Sequence, residues 1–529
     1  MAVTAPKVDE FQPHPVKDQL PGIDYCVSSS PPLAEAIILG FQHYLVMLGT
    51  TIIISGIVVP TMGGGNGEKA EVVQTLLFVA GLNTLLQTWF GTCLPVVMGG
   101  SFAFVLPAVS IALSSKYSIY VDPHQRFIQT MRGIQGALLI ASIFQIAIGF
   151  LGFWRNVISF LSPLSAVPIV TLTGLGLYRY GFPLLAECIE VGLPELILLV
   201  FIALYLPHLV KSKWPIFVRF AVLFSVAIIW AYAIILTSAG AYDRRPPNTQ
   251  TSCRTDRSGL ISAVPWIRIP YPFRWGAPSF SAGDIFVMVA ASFVALIESA
   301  GTFIAVSRFG SATPTPPSVL SRGAGWQGIA ILLDGMFGSI GGSTASVENA
   351  GLLALTRVGS RRAIQISAGF MLFFSVLGKF GAVFASIPLP IVGALFCVLF
   401  AYVASAGLSL LQFCNLNSFR TKFILGFSLF MGLSVPQYFH EYLLLSGRGP
   451  LHTGSTSFNN IVQVIFSSPA TVAAIVATFL DCTLGLGHSS IWQDSGRHWW
   501  VRFRFFNVDT RTAEFYSLPY NLNRYFPPL

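Results

Sequence analysis

Charge is scarce in this chain: 10% of its 529 residues are Asp, Glu, Lys or Arg, against about 25% in soluble domains. That shortage excludes one large soluble core. The chain has no GxxxxGK[ST] loop and no long polar domain that could house nucleotide hydrolysis, so an ATP-driven pump is set aside. An HExxH metal pair is missing too, and no Ser/His/Asp set stands in a convincing context, which leaves a membrane enzyme without support. The seven cysteines occur singly, with no CxxC and no histidine spacing for zinc. They are expected to be packing residues, with Cys253 alone in an external loop. The polar stretch Met1 to Ser30 lacks the apolar core of a cleavable signal peptide, so the first membrane helix must direct insertion.

What is abundant is apolar surface. Hydrophobic residues make up 53% of the chain, with 44 Phe and 10 Trp suited to lipid-facing helices and interfacial belts. The net charge of +9 is scattered through short loops, which argues against a nucleic-acid partner and for a role in setting topology.

A crossing helix needs about 20 mostly apolar residues. Charge-free intervals and turn signals place about 14 spans, near 33–58, 70–90, 93–111, 133–153, 157–177, 192–208, 216–239, 283–306, 325–341, 345–357, 363–385, 387–408, 422–438 and 459–484. Hydropathy by itself also allows 12 or 13. The expected fold is an all-α polytopic membrane protein of two inverted seven-span repeats, in which spans 3 and 10 are short and interrupted by glycine. With the N-terminus inside, internal short loops collect Arg155, Lys211, Lys213, Arg219, Arg308, Arg322, Arg357, Arg361, Arg362, Arg420 and Lys422, roughly twice the external share. Both termini are then cytoplasmic. The basic stretch 240–282 falls outside, as long loops can regardless of charge. A faint repeat matches Met98-Gly-Gly-Ser-Phe-Ala103 to Ile340-Gly-Gly-Ser-Thr-Ala345, and paired interruptions of this kind point to a midplane site.

Ionisable groups inside spans are costly, so each is a functional candidate. Glu298 sits mid-span in Val294-Ala-Leu-Ile-Glu-Ser-Ala-Gly-Thr302, and Glu348 lies where the tenth span breaks. The alternative for both is a protonated carboxyl bonded to a neighbouring helix. His43 could relay protons or simply bond another helix. Asp334, Asp481 and Glu195 lie nearer span ends, where a cap or helix dipole accounts for them. Unwound backbone at Gly99–Phe102 and Gly341–Ser343 is tolerated at membrane depth only where it lines a cavity or is buried in protein. A planar heterocycle with amide-like edges suits such a site. Glu298 and Glu348 would accept from ring N–H groups, backbone N–H would donate to ring carbonyls, and Phe102 would stack on the π-face.

Glu348-Asn-Ala-Gly-Leu-Leu-Ala-Leu-Thr-Arg357 resembles the signature of the nucleobase–ascorbate transporters, which reads Gln/Glu/Pro, Asn, any residue, Gly, four variable residues, Thr and a basic residue. Gln42-His43, Gly100-Ser101-Phe102-Ala103-Phe104 and Glu298 extend the resemblance over about residues 14–485, and His14-Pro-Val-Lys-Asp-Gln19 with Gly22-Ile-Asp-Tyr-Cys26 resembles plant members. The resemblance implies an elevator-type secondary transporter. Its core domain would comprise 33–153 and 283–385, and its gate domain, which also forms a homodimer interface, 154–239 and 386–485. The remaining parts would be cytoplasmic tails, 1–32 and 486–529, and an extracellular loop, 240–282. It also implies Glu298, Glu348, Ser101, Phe102 and Val347 as substrate-binding residues, Glu298 and His43 in proton coupling, and Gln42, Asn349, Gly351, Thr356, Arg357 and Thr302 as motif or supporting positions. No cofactor is implied beyond a coupling ion, H+ in the nucleobase branch. The partners implied are a small nucleobase, membrane lipid and a second copy, at the plasma membrane.

Thr302 departs from the Asp or His that many members carry four residues after the Glu298 position, which bears on coupling and ring preference. Glu348, where ascorbate carriers have Pro, favours a nucleobase such as xanthine, uric acid or uracil. An ascorbate or urate anion is the rival substrate; two carboxylates with no expected basic side chain in the site oppose ascorbate, whereas urate retains several N–H donors and stays open. A channel or transport-dead receptor is the rival from another class. The tail Arg497-His-Trp-Trp-Val-Arg-Phe-Arg-Phe-Phe506 reads as an interfacial anchor, and residues 508–529 are expected to be dispensable for transport.

Overall fold

The computed structural model describes residues 20, 22–210, 215–256, 264–447, 449–484, 495 and 515–525. Among these, seven helices are each long and apolar enough to cross a bilayer: Leu33–Thr61, Asn66–Trp89, Pro123–Phe150, Ile189–Leu209, Ala221–Ser238, Ala282–Phe309 and Leu389–Phe413. Two bent pairs, Phe153–Phe160 with Pro163–Ala186 and Thr456–Phe466 with Pro469–Thr483, make nine. Five more segments complete the fourteen-span fold: the broken spans 3 and 10 and the helices Pro317–Phe337, Arg361–Val376 and Phe419–Ser446. Helices dominate because lipid offers no partner for a backbone N–H or C=O, so each must be satisfied within its own segment.

Helix starts follow the capping rules closely. Asp122, Ser162 and Ser468 each precede a proline, and each side chain accepts from a backbone N–H of the first turn, those of His124, Ser165 and Thr471. This chemistry corrects two expected spans. Ser162-Pro163 and Ser468-Pro469 interrupt what hydropathy reads as continuous spans 5 and 14, with bends of 105° and 81°.

Spans 3 and 10 both begin as strands, β1 (Met98–Gly100) and β2 (Ser343–Ala345). They pair antiparallel, with Met98 opposite Ala345 and Gly100 opposite Ser343. Antiparallel pairing of corresponding segments is what a two-fold axis in the membrane plane produces. The structural equivalence differs from the sequence echo, however. Ser101 caps the turn after β1 and Ser346 caps the helix after β2, so Ser101 corresponds to Ser346 rather than to Ser343. Gly341 and Gly342 lie ahead of β2, where a Cβ on Gly342 would reach within 2.6 Å of the Phe104 ring.

Two packing groups result. Span 9 packs on span 4, span 11 on spans 1 and 2, and span 8 on span 4; in the other group spans 12 and 14 pack on span 5, span 13 on span 14, and span 6 on spans 7 and 12. Spans 8 and 10 touch the second group through spans 5, 12 and 14.

Two expectations about the polar ends are overturned. Cys253 is not alone: it forms a disulfide with Cys188, the residue before the Ile189 helix, across 65 residues of sequence. Residues 515–525 are not a loose end either. Tyr516 is 2% exposed and its hydroxyl donates to the Thr313 carbonyl at 2.6 Å, while the buried Arg322 donates to the Tyr516 carbonyl at 3.0 Å and Arg361 to that of Phe515 at 2.9 Å. Removing this segment would open a packed site beside a buried guanidinium, so dispensability of 508–529 does not fit the fold. The aromatic tail 497–506 and the loop lysines Lys211 and Lys213 lie outside the described residues.

Candidate functional site

Glu298 lies near the middle of span 8, one helical turn from Val294, and both line a cavity of about 560 Å³. The cavity extends to span ends on the side that carries the 240–282 segment, with Tyr178, Arg179 and Leu444 among its lining. Phe102 contributes its ring from the turn that follows β1. The hydroxyl of Ser468 donates to Glu298 Oε1 at 3.0 Å. Ser468 is there because the Ser-Pro break in span 14 turns a helix start toward span 8. Thr302 bonds back to the Glu298 carbonyl at 3.0 Å, so its hydroxyl supports the helix instead of the carboxylate.

Glu348 stands in the first turn of the span 10 helix (Val347–Thr356), where the N-terminal end of the helix dipole favours a carboxylate. It is 3% exposed and accepts a hydrogen bond from Thr50 of span 1. Behind it His43 Nδ1 pairs with Asn349 Oδ1 at 2.9 Å, and Asn349 Nδ2 donates to Ser346 Oγ at 2.8 Å. Thr50, His43, Ser346, Glu348 and Asn349 thus make one buried polar cluster joining spans 1 and 10. Glu348, Ser101 and Val347 are buried and do not line the 560 Å³ cavity.

The other motif positions have structural work. A Cβ on Gly351 would sit 2.1 Å from the Leu399 carbonyl oxygen, so glycine lets spans 10 and 12 touch backbone to backbone. Thr356 bonds back to Leu352 at 2.8 Å, and Arg357 ends the helix in the left-handed region at φ 58°. Gln42 donates to the Arg219 carbonyl at 2.8 Å.

Sequence reasoning missed Thr50, Ser468, Tyr180 and Arg179. The Ser468-Pro469 pair was a legible cap; Thr50 and Tyr180 carried no local signal. Arg179 corrects the expectation of a site without a basic side chain. It lines the same cavity as Glu298 and donates to Gln437 Oε1 at 2.7 Å.

The Permease family model Xan_ur_permease matches residues 34–441. The chain is 66% identical to nucleobase-ascorbate transporter 4 of Arabidopsis thaliana over 99% of each chain. It belongs to the nucleobase–ascorbate transporter family. Nucleobase-ascorbate transporter 6 of Arabidopsis thaliana is 64% identical over 99% of this chain and 98% of its own. Nucleobase-ascorbate transporter LPE1 of Zea mays is 60% identical over 99% of each. Among solved structures SLC26A9 is similar at a TM-score of 0.48 and 12% identity, over 76% of this chain and 62% of that one, too distant a likeness to add to the argument. Membership makes the chain a multi-pass transporter of the permease class and not an enzyme. The two carboxylates singled out in the sequence thus lie in a buried motif cluster and on a cavity of this family member.

Proposed function

We propose that this transporter is a proton symporter for nucleobases such as xanthine, uric acid or uracil, working at the plasma membrane by an elevator motion. One observation carries the reading: an acceptor carboxylate, Glu298, and an aromatic face, Phe102, line one cavity at the level of the two broken spans. A nucleobase presents the complement, ring N–H donors and a π-face. Glu348 is the second acceptor, reached once the Thr50 hydroxyl yields. Ser101 and Val347 add backbone groups beside it. Glu298 carries the proton, and His43, paired with Asn349 in the neighbouring cluster, is the alternative carrier.

Spans 1–4 and 8–11, residues 33–153 and 283–385, form the moving core. Spans 5–7 and 12–14, residues 154–239 and 386–485, form the gate and the homodimer interface, set in membrane lipid. The Cys188–Cys253 disulfide supports an external 240–282 loop, since disulfides persist in oxidising compartments. Both termini are then cytoplasmic, and the cavity faces outward.

Arg179 favours a second reading, in which an anion such as urate or ascorbate is drawn to the cavity. Uptake of radiolabelled xanthine, uracil and ascorbate into cells lacking their own carriers, at two external pH values, separates the readings. Saturable xanthine or uracil uptake that rises at the lower pH, and counterflow from preloaded cells, are the expected results. Uptake of ascorbate alone, or flux that never saturates, overturns the proposal.

A further inference from the structure

The ring of Tyr180 lies against that of Phe102, with centroids 4.0 Å apart and planes inclined by 22°. Both rings line the cavity that holds Glu298. They come from different packing groups: Phe102 follows β1 in span 3, and Tyr180 ends the turn Tyr178–Tyr180 in the second half of span 5. That turn is rigid. Tyr180 N–H donates to the Leu177 carbonyl at 2.9 Å, and a Cβ on the next residue, Gly181, would meet Cys397 of span 12 at 3.2 Å.

The contact bears directly on how a flat ring would enter. Stacked rings at this separation leave no gap between them, because an inserted heterocycle needs roughly double the spacing. The covered face of Phe102 is therefore unavailable to a substrate while Tyr180 stays. Glu298 is engaged from the same group, since the Ser468 hydroxyl donates to its Oε1 at 3.0 Å. An aromatic face and a hydrogen-bond donor, both from the second packing group, thus meet Phe102 and Glu298.

We propose that Tyr180 is a positioning residue that stands in for the substrate ring on Phe102, so that a nucleobase binds by displacing it. This rests on the nucleobase reading above and deepens it. Binding is then an exchange of one ring contact for another, and part of the stacking energy is spent on removing Tyr180. The contact given up is the same whichever ring enters, so Tyr180 weakens the binding of every substrate by one factor and leaves their order to Phe102 and the carboxylates.

The test compares Tyr180→Ala, Tyr180→Leu and Tyr180→Phe with the parent protein, using labelled xanthine and a panel of unlabelled purines and pyrimidines at matched surface abundance. Xanthine binding to solubilised protein from total membranes covers any variant that does not reach the surface. Tyr180→Leu keeps bulk without a π-face. Removal of the competing ring lowers the apparent KM for xanthine about two- to tenfold in the Ala and Leu variants, the range set by one aromatic pair. Purine and pyrimidine competitors gain by the same factor, because the contact removed is common to all of them. Tyr180→Phe keeps the parental KM. An unchanged or raised KM in both Ala and Leu variants overturns the inference while leaving the nucleobase reading intact. A parent protein that moves neither xanthine nor uracil overturns both.

Discussion

In span 3 a three-residue strand runs into Ser101, whose hydroxyl accepts from Ala103 N–H, and the next side chain is the Phe102 ring; in span 10 the paired strand runs into Ser346, which accepts from Asn349 N–H, and the first turn holds Glu348. The backbone plan is the same in both: strand, serine cap, half-helix. The chemistry differs because the residues after the cap differ. Span 3 offers an aromatic face to a cavity, whereas span 10 offers a carboxylate held by Thr50 and backed by His43 and Asn349. An inverted repeat thus fixes where two half-helices end, and a few side chains decide that one end meets a π-face and the other a hydrogen-bond donor.

The sharpest way to break this contrast is Glu348→Pro, which makes span 10 as uncharged as span 3. Position 348 lies in the first helical turn, whose N–H groups have no intrahelical partner, so proline removes no helix hydrogen bond. Nucleobase uptake should fall about a hundredfold or more, the loss of about two hydrogen bonds to a charged acceptor. Surface labelling should still find the protein. Uptake within a few-fold of the parent would move the acceptor role elsewhere.

Glu298→Gln probes the carboxylate that shares a cavity with Phe102. An amide keeps a donor and an acceptor but does not titrate. Parental uptake should rise as external pH falls, because inward movement requires the carboxyl to be protonated. The variant should lose that rise, bringing the ratio of uptake at the two pH values to about one from the roughly tenfold that one proton per pH unit allows. A retained ratio would assign the proton to His43.

Gly351→Ala tests a packing that span 10 has and the described part of span 3 lacks, its backbone contact with Leu399. Overpacking against a carbonyl should cost about 1–3 kcal/mol, read as a lower melting temperature in detergent and reduced surface abundance. Competitor ranking in the molecules that arrive should stay parental. An unchanged melting temperature would show that the two spans separate easily.

The smallest effect compares the caps themselves. Ser346→Ala should cost about 1 kcal/mol or more, and Ser101→Ala less, since Ser346 also holds the Asn349 side chain at 2.8 Å while Ser101 caps only a short turn. Equal losses of melting temperature would mean that the side-chain contact to Asn349 contributes nothing.

Much of this fold was written along the chain. In a bilayer every backbone hydrogen bond closes locally and every charge is expensive, so apolar lengths and the positions of Glu298 and Glu348 are informative without knowledge of neighbours. The number of spans, the interrupted third and tenth, and the two carboxylates were therefore legible, as were the helix starts at Asp122, Ser162 and Ser468 for a reader of caps. Contacts between residues far apart in sequence were not. The pairing of Cys188 with Cys253, the register that equates Ser101 with Ser346, the Ser468 hydroxyl on Glu298, the Tyr180 ring on Phe102, and Tyr516 beneath Arg322 all depend on which helices become neighbours. No periodicity or spacing encodes that choice; it follows from how fourteen segments share a limited set of close-packed faces.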